Sequence, residues 1–250
     1  MINPFSFFKN PEQSWSSFLL ELGILIAVVL FVRFYVFQFF QVSGPSMCRT
    51  LNTIDGVCQR AQCRTLWDKM TGKNLQGSDH CEFIFVNEFL YSFVRAPERG
   101  EIVVFRPPTG ERNYIKRLIG IPGDTVEVYN GNVFLTNERF DSVKLPEPYL
   151  SQKNQNRTAT TQQKFAVPEG HFLLFGDNRN ESLDARMCFE PSGCNEFNTP
   201  FVPRENIRGR AEFVVWPLNQ VRSLSHEIFP GEDTEIDDSG KSVDSAAGAN

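Results

Sequence analysis

Histidine is scarce in this 250-residue chain, which has only His80, His171 and His226. A serine hydrolase of the triad type needs an imidazole as its base. None of the three sits in such a setting: His80 lies in a Cys-rich stretch, His171 opens an apolar run, and His226 adjoins an acidic tail. Basic clusters are missing as well. Lysine and arginine total 25 against 30 acidic residues, for a net charge of -5, so the chain carries no charge signature of a nucleic-acid-binding protein. Helical periodicity is nearly absent after Ser43, no internal repeat is visible, and no basic cluster precedes the first apolar run. The last of these argues against a cleaved secretory signal.

That first apolar run is the most conspicuous feature present. From Gln13 to Val32 only Glu21 is charged, and the run has the length of a helix that crosses a bilayer. Trp15 suits one headgroup region, and Arg33 and Tyr35 the other. Glu21 is costly inside hydrocarbon unless protonated or partnered. A buried core helix is the alternative. The expected organisation is a short cytoplasmic N-terminus over 1–13, a transmembrane helix over 14–36, an extracytoplasmic domain over 37–226 and a disordered acidic tail over 227–250. That tail holds seven carboxylates against one lysine, too polar to bury a core.

The six cysteines are Cys48, Cys58, Cys63, Cys81, Cys188 and Cys194. An even number behind an apolar segment favours an oxidising compartment. The spacings do not match a tetrahedral zinc site, and no metal is expected. Cys188 and Cys194 are expected to pair, since they are close in a turn-rich segment. The pairing of the other four stays open.

Beyond Ser43, β-favouring runs recur between turn signals: FIFVNEFLYSFV, EIVVFRPP, NYIKRLIGI, DTVEVYN, NVFLT, HFLLFGD and AEFVVWP. Asn130-Gly131 marks a hairpin. The expected fold is mainly β: an antiparallel, barrel-like catalytic domain after one transmembrane helix. Insertions are expected at about 52–81, 141–164 and 187–200.

A serine can be activated by lysine in place of histidine if burial keeps the amine neutral. Lys116 lies in the β-like stretch that begins at Tyr114, and alternation places it on the face of Tyr114 and Leu118. Taken alone, it reads as an ordinary strand lysine with its head in solvent.

Three boxes in order change that reading. GPSMCRTL at 44–51, RGEIVVF at 99–105 with YIKRLIGIPGD at 114–124, and VPEGHFLLFGDNRNESLDAR at 167–186 resemble the signature boxes of the type I signal peptidases. FVNEFLY at 85–91 and EPYL at 147–150 agree with weaker family features. The resemblance covers roughly residues 14–216. It implies a membrane-bound serine endopeptidase that removes signal peptides from exported preproteins without a cofactor. Ser46 is then the nucleophile, Lys116 the base and Ser182 the residue that orients the lysine. Asp177, Arg179, Asp184 and Arg186 hold the site together.

The oxyanion donors implied are the N–H groups of Ser46 and Gly44, the latter where some members carry a serine hydroxyl. Phe40, Val42, Met47, Leu51, Tyr114 and Ile115 are expected to line pockets that admit small residues, as in an Ala-x-Ala cleavage site. The implied partners are preproteins and a lipid bilayer, and the implied state is a monomer. The implied location is a bacterial inner membrane, single-pass, with the catalytic domain outside. Arg49 stands where the family usually has proline, and Ala185 replaces a common serine. Two alternatives share these motifs: a peptidase dedicated to one pilus or secretion substrate, and a silent relative that only binds preproteins.

Overall fold

The computed structural model describes residues 15–54, 57–59, 63–64, 70–71, 81–158 and 163–226. The expected N-terminal segment over 1–13, the acidic tail over 227–250, His80 and most of the 52–81 insertion lie outside the described residues.

Helix α1 spans Trp15–Tyr35, and its side chains from Trp15 to Phe31 are all exposed on the chain. The core-helix alternative is therefore not realised here. Among the described residues no helix is long and apolar enough to cross a membrane. The side chains of 32–35, which continue α1, lie outside that description.

The chain then turns into β1 (Phe37–Gln41), followed by the short pair β2 (Thr53–Ile54) and β3 (Val57–Cys58), and by β4 (Phe83–Asn87). Strands β5 (Ile102–Phe105), β6 (Tyr114–Gly120), β7 (Thr125–Tyr129), β8 (Asn132–Thr136) and β9 (Val143–Lys144) come next. The last are β10 (Gln163–Ala166), β11 (His171–Phe175), β12 (Phe201–Pro203), β13 (Ile207–Trp216) and β14 (Arg222–Ser223).

An 8-stranded sheet runs β1-β4-β13-β5-β6-β11-β12, with β14 added to β13, and a 4-stranded sheet runs β10-β7-β8-β9. Every strand pairing is antiparallel. The large sheet is open, ending at β1 and β12, so the barrel-like closure expected from the strand pattern is not made. Strands β7 to β10 form a sheet of their own and β2 pairs only with β3, so among the described residues no strand joins β1 to β12.

FIFVNEFLYSFV is also not one strand. It stops at Asn87, whose Oδ1 accepts the Leu90 N–H at 3.1 Å, and Leu90–Val94 then coil as a single wide helical turn. The Asn130-Gly131 hairpin forms with both residues at positive φ, 47° and 77°, as its tight turn requires.

Two apolar clusters hold the sheets. One joins Leu118, Leu173 and Phe175 to Val126, Val128, Val133 and Leu135 across the sheets. The other, built on Val42, Met47, Leu51, Ile84, Val86 and Val104, lies beneath the turn that follows β1. Full burial of each such side chain stabilises the fold by about 1.5–3 kcal/mol. All six cysteines are bridged, Cys48 to Cys58, Cys63 to Cys81 and Cys188 to Cys194. Much of the 141–164 excursion packs down, with Leu145, Leu150, Asn154 and Thr158 buried.

Candidate active site

Ser46 sits in the turn between β1 and the first disulfide. Cys48 N–H bonds back to the Pro45 carbonyl at 2.9 Å and Leu51 N–H to that of Met47 at 2.8 Å, coiling the segment so that Met47 and Leu51 plug the core below. The turn is pinned by its carbonyls. Gly44 O accepts Asn52 Nδ2 at 3.0 Å, Pro45 O accepts Asn178 Nδ2 at 3.1 Å, and Ser46 O accepts Asn178 N–H at 3.0 Å. The N–H groups of Gly44 and Ser46 bond to no other group among the described residues. Among the described residues they are therefore open to a ligand oxygen. Gly44 has φ +84°, a conformation that glycine adopts without strain.

Lys116 lies on β6 opposite Val103 of β5 and is buried. Its Nζ is 2.8 Å from Ser46 Oγ and donates to the Ile115 carbonyl at 3.0 Å. Nζ also stands 5.4 Å from the centre of the Tyr114 ring. Burial penalises the ammonium and lowers the Lys116 pKa to about 8 against the opposing pull of Asp184 and Asp177. A usable fraction of neutral amine therefore exists near neutral pH.

The expected support residues converge behind this pair. Asp184 accepts from Arg186 at 2.9 and 2.8 Å and from the Gly176 N–H at 2.9 Å. Burial alone would raise its pKa, but the charge and hydrogen bonds of Arg186 hold it below the usual carboxylate value. Arg179 pairs with Glu147 and donates to Thr158 Oγ1 and the Gly176 carbonyl.

Asp177 is paired with Arg117, a residue the sequence reading did not single out. Arg117 is the neighbour of Lys116, is fully buried, and grips Asp177 in a two-pronged pair at 3.0 and 2.8 Å while stacked 3.9 Å from the centre of the Tyr149 ring. Asp177 also accepts a bond from Thr50 Oγ1. Glu147 and Tyr149 were legible only as part of EPYL. A dense apolar strand that places two cations side by side was the available signal for Arg117.

The Ser182 hydroxyl, expected to orient Lys116 by a hydrogen bond, is buried and makes no such bond: among the described residues it has no partner at hydrogen-bond geometry. It lies near enough to Asp184 to help lower that carboxyl's pKa.

The pair opens on a cleft of about 450 Å³. Of the expected lining residues, Phe40, Val42, Tyr114 and Ile115 face it, joined by Ile84, Val104 and Leu183. Met47 and Leu51 do not line it; the turn buries them, at 1% and 0% exposed, in the core beneath. A larger cavity of about 650 Å³, around Arg99, Asp124 and Phe140, holds none of these groups.

A serine hydroxyl against a buried amine, with free backbone donors beside an apolar cleft, has the parts that a serine hydrolase with an amine base requires. Residues 15–216 match the family model described as Signal peptidase, peptidase S26. A signal peptidase I from Rickettsia bellii (strain OSU 85-389) is 30% identical over 236 residues, covering 82% of this chain and 73% of the relative. Signal peptidase I P from Bacillus subtilis subsp. natto is 31% identical over 203 residues, covering 80% of this chain and 89% of its own. A crystal structure of a signal peptidase I from Enterococcus faecalis V583 aligns with 27% identity and a TM-score of 0.34, over 47% of this chain and 97% of that one. The chain belongs to the signal peptidase family, peptidase S26.

Proposed function

We propose that this protein is a membrane-anchored serine endopeptidase that removes N-terminal signal peptides from exported preproteins, with Ser46 as nucleophile and Lys116 as base. The observation that carries the reading is the 2.8 Å contact between Lys116 Nζ and Ser46 Oγ. Neutral Lys116 takes the hydroxyl proton as Oγ attacks the scissile carbonyl, and the N–H groups of Ser46 and Gly44 receive the negative oxygen. The new ammonium gives its proton to the departing amine, which is the N-terminus of the mature protein. Lys116 then takes a proton from water as the water oxygen attacks the Ser46 ester. It returns that proton to Ser46 Oγ as the acyl–Oγ bond breaks, and the signal peptide leaves as an acid that ionises in solvent. Asp177, Arg179, Asp184 and Arg186 fix the geometry, and Ser182 lies beside Asp184.

Phe40, Val42, Tyr114 and Ile115 leave room for small side chains, in keeping with an Ala-x-Ala preference. Anchoring is supported by the exposed apolar surface that α1 presents from Trp15 to Phe31. Beyond it, Phe37, Phe39, Phe85 and Phe213 form a chain of touching rings on the large sheet, with Phe39 and Phe213 exposed. An apolar patch that continues from a helix of this kind suits a bilayer surface. Three disulfides favour an extracytoplasmic domain on a bacterial inner membrane. Both members of the pair come from one chain, so a monomer suffices. Incubation with a purified preprotein and sequencing of the new N-terminus tests the reading. Cleavage after a small-x-small triplet is expected, and the same cut by Ser46→Ala would sink it.

A further inference from the structure

Asn52 is fully buried at φ +57°, six residues beyond Ser46. The cleavage mechanism proposed above has no use for it. Its side-chain amide donates to Gly44 O at 3.0 Å and to Gln59 O at 3.2 Å. Its backbone N–H reaches Glu82 Oε2 at 2.6 Å, and its own carbonyl accepts Gln59 N–H at 3.0 Å. Glu82 is likewise buried; it is paired with Arg222 at 2.9 Å, and its backbone carbonyl accepts the Val42 N–H at 2.8 Å. One amide thus ties the chain before the nucleophile to the beginning of the Cys-rich insertion. The Cys48–Cys58 bridge closes the same small loop.

We propose that Asn52 is a positioning residue for the oxyanion side of the site: by holding the Gly44 carbonyl it restrains the Gly44 backbone from its C-terminal side, so that the Gly44 N–H, which belongs to the preceding Ser43–Gly44 peptide, stays aimed at the substrate oxygen. The inference rests on the Ser46/Lys116 reading. Gly44 lacks a side chain and has the freest backbone in the turn, so its donor direction must be imposed from outside. The chain is held on one side of Gly44 by the bond from the Val42 N–H to the Glu82 carbonyl and on the other by the bond from Asn52 to the Gly44 carbonyl, which together restrain the two torsions at Gly44. Pro45 has a fixed φ and carries the restraint on to Ser46. Asparagine suits the position twice over: it tolerates a left-handed backbone, and its amide offers two protons to two carbonyls. Preorganised donors of this kind act in the transition state rather than in ground-state binding.

The test uses the full-length protein in detergent or vesicles, with a preprotein substrate. Asn52→Gly keeps the left-handed backbone and deletes the clamp. Asn52→Asp keeps the shape but presents a carboxylate that cannot donate to either carbonyl. The expected result for both is a kcat lower by roughly 10- to 100-fold with KM within about twofold. The pH midpoint of kcat should be unchanged in Asn52→Gly, which neither adds nor removes a charge near Lys116. If Asn52→Gly fails to fold, Asn52→Asp is read alone. The proposal is overturned if a folded variant keeps kcat within about twofold of the parent, if KM rises as much as kcat falls, or if the pH midpoint of Asn52→Gly moves. Ser46→Ala is run alongside. Cleavage by that variant defeats the dyad itself, whereas an inactive Ser46→Ala beside fully active Asn52 variants defeats only the clamp.

Discussion

A methyl group placed on Gly176 would stand 2.1 Å from Ser182 Oγ and 2.5 Å from the Ser46 carbonyl oxygen. The strand end that carries the third sequence box is thus pressed against the backbone of the nucleophile with no room for a Cβ. Gly176→Ala must push Ser46, Ser182 or both aside. Overpacking of this sort costs about 1–3 kcal/mol, and a misplaced nucleophile loses on the order of 100-fold in rate. Thermal unfolding and preprotein cleavage together check this. A variant with near-parent activity would show that the contact relaxes harmlessly.

The lowered pKa of Lys116 fixes the sign of the pH dependence. Only neutral amine accepts the Ser46 proton, so cleavage should rise by about tenfold per pH unit on the acid side and level off above a midpoint near 8. The same shift bears on stability. Between about 8 and the ordinary value of 10.5 the unfolded chain binds more protons than the folded one, so Lys116 makes stability increase with pH across that window. Below it the penalty is fully present. Lys116→Met should therefore abolish cleavage and raise the melting temperature at neutral pH. A lower melting temperature would mean that the amine helps to hold the fold together.

Substitution at the dyad should be strongly non-additive. Ser46→Ala and Lys116→Ala each remove one half of a single proton-transfer unit, so the double variant should be hardly worse than either alone. Lys116→Arg should fail as completely, because guanidinium keeps its proton. Ser182→Ala should retain more activity, since its hydroxyl lies beside the pair without a bond to the lysine amine. Single-turnover cleavage of a preprotein ranks the set, and substantial activity in Lys116→Ala would redirect the search for the base to the histidines.

Legibility in the sequence followed the range of the interactions. The hairpin at Asn130-Gly131 and the strands on either side are written in local turn chemistry and alternation. Ser46 and Lys116 were legible as box residues, but their 2.8 Å contact spans 70 positions, and no periodicity records that. Burial of Lys116 ran against its ordinary reading as a snorkelling strand lysine, because the turn carrying Ser46 covers it. Met47 and Leu51 were expected in the cleft from the resemblance alone; the coil after Pro45 turns both side chains into the core beneath. Arg117 was missed since its partner, Asp177, is 60 positions away. The open sheet escaped notice because strand count alone does not say which strands leave to form a second sheet.

Arg117 and Asp177 offer the sharpest remaining test, because each touches the neighbour of a catalytic group: Arg117 follows Lys116, and Asp177 accepts a hydrogen bond from Thr50 of the nucleophile turn. Both side chains of the pair are fully buried, so removing one partner leaves an uncompensated charge. Arg117→Met should destabilise by roughly 3–5 kcal/mol, or about 2–4 °C of melting temperature for each kcal/mol. Arg117→Lys should recover little, because an ammonium can neither form the two-pronged pair nor stack on the Tyr149 ring. Asp177→Asn is the informative variant. Asp177 is one of the charges that raise the Lys116 pKa, so its neutralisation should move the midpoint of the cleavage profile to lower pH even as the maximal rate falls. A purely structural role predicts a lower rate with an unmoved midpoint. Pre-steady-state cleavage measured across the pH range, on protein shown by melting to be folded, separates the two.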